Sequence, residues 1–236
     1  MRILVVNPNT TASMTTLIGE CARASVGPGV VVDAIDPGAG PVSLESHYDE
    51  AIAVPHLLGA LEREGAAYDG FVIACFGDPG LHAAREILAG PVVGIAEAAM
   101  RTAVYLSRRF SVVTTLPRVI AHTWSIARDY GVADLVGGIH ACRIPVVDLE
   151  TDPVAYATIL ATCRQALAED GSEAIVLGCA GMADLCARLS TELGVPVLDG
   201  VAAATAEVEK LVRLGLSTSR HNEYATPPAK EIRGRW

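Results

Sequence analysis

The chain has 236 residues, enough for one large domain or two small ones with real cores, and its 51% hydrophobic and 19% charged content excludes a disordered polypeptide. A formal net charge of −9 with no basic face argues against a nucleic-acid partner and is read as serving solubility. Aromatic residues contribute only 5%, so the apolar content is mostly Ala, Val, Leu and Ile, a mix that suits buried parallel strands alternating with helices.

The first residues, MRILVVNPNT, hold an apolar run too short for a secretory signal, and no later run approaches the ~18 apolar residues of a membrane helix. A cytoplasmic location with no membrane partner is therefore expected. From there short aliphatic runs alternate with amphipathic stretches. Strands are predicted at Arg2–Val6, Val30–Ile35, Phe71–Ala74, Val92–Ile95, Phe110–Thr114, Leu135–Ile139, Ala174–Leu177 and Val195–Leu198. Helices are predicted at 11–24, 46–64, 79–89, 96–108, 117–130, 152–169, 182–193 and 200–213. Alternation of this kind means parallel sheets covered by helices. Ser46 to Asp49 has the pattern of a capping box opening the second helix. Asp78-Pro79 places a capping carboxylate before a proline at the expected start of the third. Gly65, Gly90, Gly131 and Gly194 follow helical runs, where a left-handed residue is often needed. The last stretch, 217–236, is polar, contains Pro227-Pro228, and reads as a surface segment or an oligomer contact.

An internal repeat organises these elements. Asp69-Gly-Phe-Val-Ile-Ala-Cys75 resembles Glu173-Ala-Ile-Val-Leu-Gly-Cys179, and each is followed by a helix and a second strand. The cysteines are 104 positions apart; Asn7 and Thr114, which end two further matching strands, are 107 apart. Two matches at nearly one offset imply two halves of one topology, about 1–96 and 97–199, with the helix at 200–216 returning to the first half.

Of the six cysteines, Cys21, Cys142, Cys163 and Cys186 lie in helical or strand-interior settings and read as small inert hydrophobes. No CxxC or CxxH pair occurs, which speaks against a zinc site or a thioredoxin-type motif, and free thiols are expected in a reducing compartment. Cys75 and Cys179 differ because both fall at carboxyl ends of strands, where open α/β sheets bind ligands. There, free N–H groups of a following helix would favour a thiolate. Two facing thiols suit inversion of a carbon acid: one removes a proton from one face and the other returns a proton to the opposite face. Backbone N–H groups near Gly77 and Gly181 could hold the developing oxyanion. Asn7-Pro-Asn9-Thr10 and Thr114-Thr115 either meet a polar ligand or open helices. Ser43 and Glu45 lie in or beside a Gly-rich loop able to fold over a ligand. His47, His82 and His122 have no metal-ligand spacing and read as helix-surface residues. No GxGxxG or GxxxxGK[ST] pattern supports a nucleotide, so no cofactor and no metal are expected.

Taken together, Asn7-Pro-Asn-Thr10, Gly40-Pro-Val-Ser-Leu-Glu-Ser-His-Tyr-Asp-Glu50, Cys75-Phe-Gly-Asp-Pro-Gly-Leu81, Val113-Thr-Thr115 and Gly178-Cys-Ala-Gly-Met182 resemble the aspartate/glutamate/hydantoin racemase superfamily, specifically its hydantoin racemase branch. The resemblance spans most of the chain. It implies two pseudo-symmetric, Rossmann-like (flavodoxin-like) α/β domains with parallel four-stranded sheets and the active site in the cleft between them. It implies Cys75 and Cys179 as the two bases, and Asn9, Ser43, Phe76, Gly77, Thr114, Thr115, Ala180, Gly181 and Met182 as substrate-binding positions. It also implies a homo-oligomer. Amino-acid racemases of the superfamily resemble Cys-Asn-Thr and Gly-Cys-Thr-His at the two cysteines, whereas this chain has Cys75-Phe76-Gly77 and Cys179-Ala180-Gly181. The hydroxyl and imidazole groups that could hold an α-carboxylate are missing, which favours a flat neutral ring such as a 5-substituted hydantoin, allantoin included. Four alternatives stand beside this reading: a cis–trans isomerase or decarboxylase of a small diacid, an aspartate or glutamate racemase, a two-lobed small-molecule binder, and a thiol-redox protein.

Overall fold

The structure is a computed structural model, which describes residues 1–231. The first half runs β1 (Arg2–Val6), α1 (Ala12–Ala24), β2 (Val31–Ile35), α2 (His47–Glu64), β3 (Gly70–Ile73), α3 (Leu81–Ile87), β4 (Val92–Gly94) and α4 (Ile95–Leu106). The second runs β5 (Phe110–Thr114), α5 (Ile120–Asp129), β6 (Val136–Ala141), α6 (Ala155–Asp170), β7 (Ala174–Gly178), α7 (Cys186–Leu193), β8 (Val197–Leu198) and α8 (Gly200–Arg213). All strand pairs are parallel, in the orders β2-β1-β3-β4 and β6-β5-β7-β8, so the two sheets have one topology. The expected α/β class with paired four-stranded sheets is the observed one. The central strands are buried along almost their whole length because helices cover both faces, and this is why they read as unbroken apolar runs instead of alternating ones.

The last helix of each half crosses to the other sheet. α4, which follows β4, packs against β7; α8, which follows β8, packs on β3 and β4, and the two helices pack on one another. A β-carbon on Gly70 would collide with Val208, so the glycine lets α8 lie directly on β3. One continuous core results. It runs from Ile3 and Val72 through Ala99 and Ala103 of α4 and Val201 and Ala204 of α8 to Val112 and Val176. Separate apolar clusters fill the outer faces, around Leu57, Leu61 and Phe71 in the first half and Ile159, Leu177 and Leu189 in the second.

Ser46 caps α2 as read from the sequence, its side chain accepting from the Asp49 N–H at 3.2 Å. The Asp49 carboxylate reaches back to the Glu45 N–H at 3.0 Å, one residue earlier than a capping box requires. Asp78 does not cap the third helix. α3 begins only at Leu81, behind a left-handed Gly80, and Asp78 itself has φ +46°. Its carboxylate instead accepts from the Ala96 and Glu97 N–H groups at 3.0 and 2.8 Å, and from the Tyr130 hydroxyl at 2.5 Å. α4 starts after Gly94, which has no side chain to cap with, and Asp78 supplies the missing carboxylate from a distance. The equivalent helix α8 carries its own cap, Asp199, which accepts from Val201 and Ala202 at 3.0 and 2.8 Å. Of the expected cap glycines, Gly131 and Gly194 are left-handed, but Gly65 keeps right-handed helical angles and leads into a short 3₁₀ turn.

After α8 the chain turns back along the first half. Ser217 Oγ donates to the Ala89 carbonyl, Arg220 donates to the Arg85 and Glu86 carbonyls, and Tyr224 stacks on His82. The final part of the polar tail, 232–236, lies outside the described residues. Among the described residues no helix is long and apolar enough to cross a membrane.

A β-carbon at Gly94 would collide with the Asp78 carboxylate. Gly94→Ala is therefore expected to destabilise the fold by roughly 1–3 kcal/mol, as overpacking in a close-packed interior does. A shift of the urea midpoint at unchanged slope measures it, and an unshifted midpoint would contradict the Asp78 capping role.

Candidate active site

In the first sheet the strand order reverses between β1 and β3, and in the second between β5 and β7. A crevice opens beyond the carboxyl ends of strands at such switch points. Here the loops from both switch points line the same cavity. Asn9 comes from the β1 loop, Cys75, Phe76 and Gly77 from the β3 loop, Thr114 and Thr115 from the end of β5, and Cys179 and Ala180 from the end of β7. The two cysteines thus approach one space from equivalent positions of opposite lobes. Both are half-buried, and all six cysteines of the chain are free thiols.

The local environment of each sulfur repeats. The Gly77 N–H is directed at the Cys75 sulfur and the Gly181 N–H at the Cys179 sulfur, each two residues downstream. Each donor lowers the pKa of the thiol it faces and so favours its thiolate. The expected help from a following helix is reduced. α3 begins six residues after Cys75, and Cys179 precedes a 3₁₀ segment, Ala180–Leu185. Burial outweighs the single N–H in both cases. It pushes Cys179 up to about 12 and raises Cys75 as well, with the Glu50 carboxylate and Cys179 adding to the rise at Cys75. Burial therefore favours the thiol form of both groups at neutral pH. A charge on Cys179 raises Cys75 further, so ionisation of both sulfurs at once is disfavoured.

The remaining sequence-predicted positions divide. The Asn9 side-chain oxygen accepts from Asn7 Nδ2 and from the Thr11 N–H, both at 2.9 Å, so Asn9 lines the cavity and also forms the turn into α1. Thr114 Oγ1 donates to the Gly178 carbonyl at 3.2 Å, tying the end of β5 to the residue before Cys179. Phe76 is buried and walls one side. Three positions do not line the cavity. Met182 is fully buried in the outer core of the second lobe, its N–H donating to the Cys179 carbonyl. Gly181 lies behind the Cys179 sulfur, close to Leu149 and Met14. Ser43 is half-buried in its loop, and the next residue, Leu44, faces the cavity in its place. That loop is held against α1 by the Thr10 N–H and Thr11 Oγ1, which donate to the Pro41 and Val42 carbonyls, and it reaches the second lobe where Glu45 Oε1 accepts from the Val146 N–H at 2.7 Å.

Glu50 of α2 and His122 of α5 also line the cavity, although the sequence marks neither as a site residue. His122 is not a helix-surface residue: it points between the lobes, 3.3 Å from Glu50 Oε1. A β-carbon on Gly77 would lie 2.5 Å from Glu50 Oε1 and 3.2 Å from His122 Nε2, so the glycine makes room for this pair. Only the position of Glu50 within the Gly40–Glu50 motif hinted at its place; His122 carries no local signal.

The sequence profile described as Asp/Glu/Hydantoin racemase matches residues 3–208. A hydantoin racemase of Rhizobium meliloti is 47% identical over 236 residues, covering 99% of this chain and 98% of that protein. The solved structure of allantoin racemase from Klebsiella pneumoniae superposes with a TM-score of 0.97 at 49% identity, covering 100% of this chain and 97% of that one. That of allantoin racemase from Pseudomonas fluorescens gives 0.96 at 40% identity, covering 99% and 100%.

With both cavity thiols raised, alkylation by iodoacetamide should be slow at neutral pH and climb steadily as pH rises, because only the thiolate reacts. The labelling rates at Cys75 and Cys179, followed by peptide mass spectrometry, should show no plateau below about pH 10, given an ordinary thiol value near 8.5. A plateau reached near pH 8 would mean that the N–H donors prevail over burial.

Proposed function

The chain belongs to the Asp/Glu/hydantoin racemase family and is a racemase, and on that premise we propose that it inverts 5-substituted hydantoins, allantoin among them, using Cys75 and Cys179 as its two bases without a cofactor. The observation that carries this reading is the cavity lined by both cysteines, each from the end of an equivalent strand. Cys75 first loses its thiol proton to solvent, leaving one thiolate in the pair, and that thiolate takes the C5 proton from one face of the ring. The C5–H electron pair moves into the adjacent ring carbonyl, giving a planar enolate. Cys179, as thiol, delivers its proton to the opposite face and is left as the thiolate; the reverse reaction exchanges the roles. One negative charge moves across the site in each turnover, in keeping with a pair of sulfurs that resist double ionisation.

The substrate class rests on what surrounds the sulfurs. Phe76, Ala180, Leu44 and Val146 give the cavity apolar walls, and Thr114, Thr115 and Asn9 supply a few polar groups. A neutral ring fits such a lining better than an α-amino acid, whose carboxylate would need a cationic or multi-donor partner. An amino-acid racemase is disfavoured on that ground. A decarboxylase requires only one protonating cysteine, and the matched pair argues against it.

In deuterated water, one enantiomer of a 5-substituted hydantoin or of allantoin should lose optical rotation while C5 takes up deuterium. Cys75→Ser and Cys179→Ser should each slow racemisation by about 10²- to 10⁴-fold, the usual worth of a positioned proton-transfer group. Each variant should retain proton exchange on the single enantiomer that faces the surviving sulfur. Racemisation at the parent rate by either variant would overturn the two-base assignment, and no turnover of any of these rings would overturn the substrate class.

A further inference from the structure

At the mouth of the cleft, three side chains from both lobes converge. His47 opens α2, Glu50 follows one turn later on the same face, and His122 comes from α5. His47 Nδ1 is 3.6 Å from Glu50 Oε2, and His122 Nε2 is 3.3 Å from Glu50 Oε1. The two imidazoles stand edge to face, with centroids 5.1 Å apart. One nitrogen or oxygen of each group lies within 4.8 Å of the others. His122 Nε2 is buried and, among the described residues, has no hydrogen-bond partner of good alignment, although the carboxylate is near. The mouth pocket around the cluster is bordered by Glu45, Ser46 and Arg118, and it shares Leu44, Val119, Glu50 and His122 with the catalytic cavity.

We propose that His47, Glu50 and His122 form a binding site for a divalent cation of the zinc class, which clamps the two lobes at the cleft mouth and obstructs access to the cysteines. Ligand chemistry supports the class: two imidazoles and one carboxylate are a recurrent zinc set, and imidazole favours zinc, copper, nickel and cobalt over magnesium or calcium. Geometry supports it too. Zinc–nitrogen and zinc–oxygen bonds of about 2.0–2.2 Å give a tetrahedron with edges of roughly 3.3–3.6 Å; the 3.3 Å from His122 Nε2 to Glu50 Oε1 is one such edge, and the 3.6 Å from His47 Nδ1 runs to the other carboxylate oxygen, Oε2. The remaining edge closes through His47, whose side chain is 80% exposed and free to rotate. A fourth position is left for water. Because His47 and Glu50 belong to one lobe and His122 to the other, a bound ion ties α2 to α5 across the cleft. The ion takes no part in the proton transfers.

Cobalt(II) reports on such a site directly. Titration of the full-length protein with Co(II) should produce visible ligand-field bands of a nitrogen and oxygen set at one ion per chain, without a sulfur-to-metal charge-transfer band. His47→Ala removes one ligand outside the catalytic cavity; it should weaken Co(II) binding more than about tenfold, as loss of metal-site contacts does, and leave metal-free racemase activity unchanged. Zn(II) should inhibit the parent enzyme reversibly, with chelator restoring activity, and inhibit His47→Ala at correspondingly higher concentration. Charge-transfer absorption that disappears in Cys75→Ser and persists in His47→Ala would assign the metal to the cysteines and overturn the proposal. So would the absence of any ligand-field band, as expected of a plain His122–Glu50 ion pair, or equal zinc sensitivity in parent and variant. The spectroscopic arm is independent of the racemase reading, and the inhibition arm rests on it.

Discussion

Where α8 begins, a β-carbon on Gly200 would lie 2.6 Å from the Ile95 carbonyl oxygen, at the start of α4. The N-terminal ends of two equivalent helices therefore touch, and each helix then runs over the sheet of the opposite lobe. This exchange leaves no plane along which the lobes can be separated without opening the core, since the apolar cluster passes through both helices. It also sets the mutual orientation of the sheets. With α4 and α8 fixed between them, the carboxyl ends of β3 and β7 face one cavity, which Cys75 and Cys179 both line. The capping of α4 by Asp78, three residues after Cys75, joins that arrangement to the Cys75 loop, and the same carboxylate also holds Tyr130 of the second lobe.

The electrostatics of the cavity favour neutral thiols. A small apolar site desolvates both sulfurs, and one N–H apiece is too little to compensate. For a racemase this is less a handicap than a constraint on how charge is shared. Two thiolates would repel each other in a low-dielectric space; in the two-base reaction proposed above, a single charge held by one sulfur at a time permits both half-reactions. Burial also lowers the acidity gap to be crossed, since a weakly acidic thiol is a stronger base toward a weakly acidic C–H. Glu50 adds a nearby negative charge that resists ionisation of Cys75, and with His122 it belongs both to the cysteine cavity and to the histidine cluster at the cleft mouth.

How much could be read from the chain depended on how local each feature was. The strands were legible because a strand buried on both faces is a continuous aliphatic run, as in Ile3–Val6 or Ala174–Leu177. The ends of helices were less so. Asp78 looked like a cap for the residues next to it, but the backbone N–H groups it satisfies are at 96 and 97, and nothing in a local pattern distinguishes a near client from a far one. Met182 and Ser43 are binding positions only by resemblance; the 3₁₀ turn after Cys179 directs Met182 into the core, and the loop after Gly40 presents Leu44 to the cavity. His122 is separated from Glu50 by 72 positions, and its role as a cavity residue exists only because α5 of one lobe faces α2 of the other.

The sequence by itself determined the alternation of elements, the duplication, and the choice of Cys75 and Cys179 as the pair to watch, because strand periodicity and repeat spacing are properties of neighbouring residues and of regular offsets along the chain. Tertiary structure alone decided that the loops of both switch points open on one cavity, that burial keeps the sulfurs protonated, and that His47, Glu50 and His122 come together. Those outcomes depend on distances between segments remote in the chain and on the dielectric that packing creates, and neither quantity is encoded at any single stretch of residues.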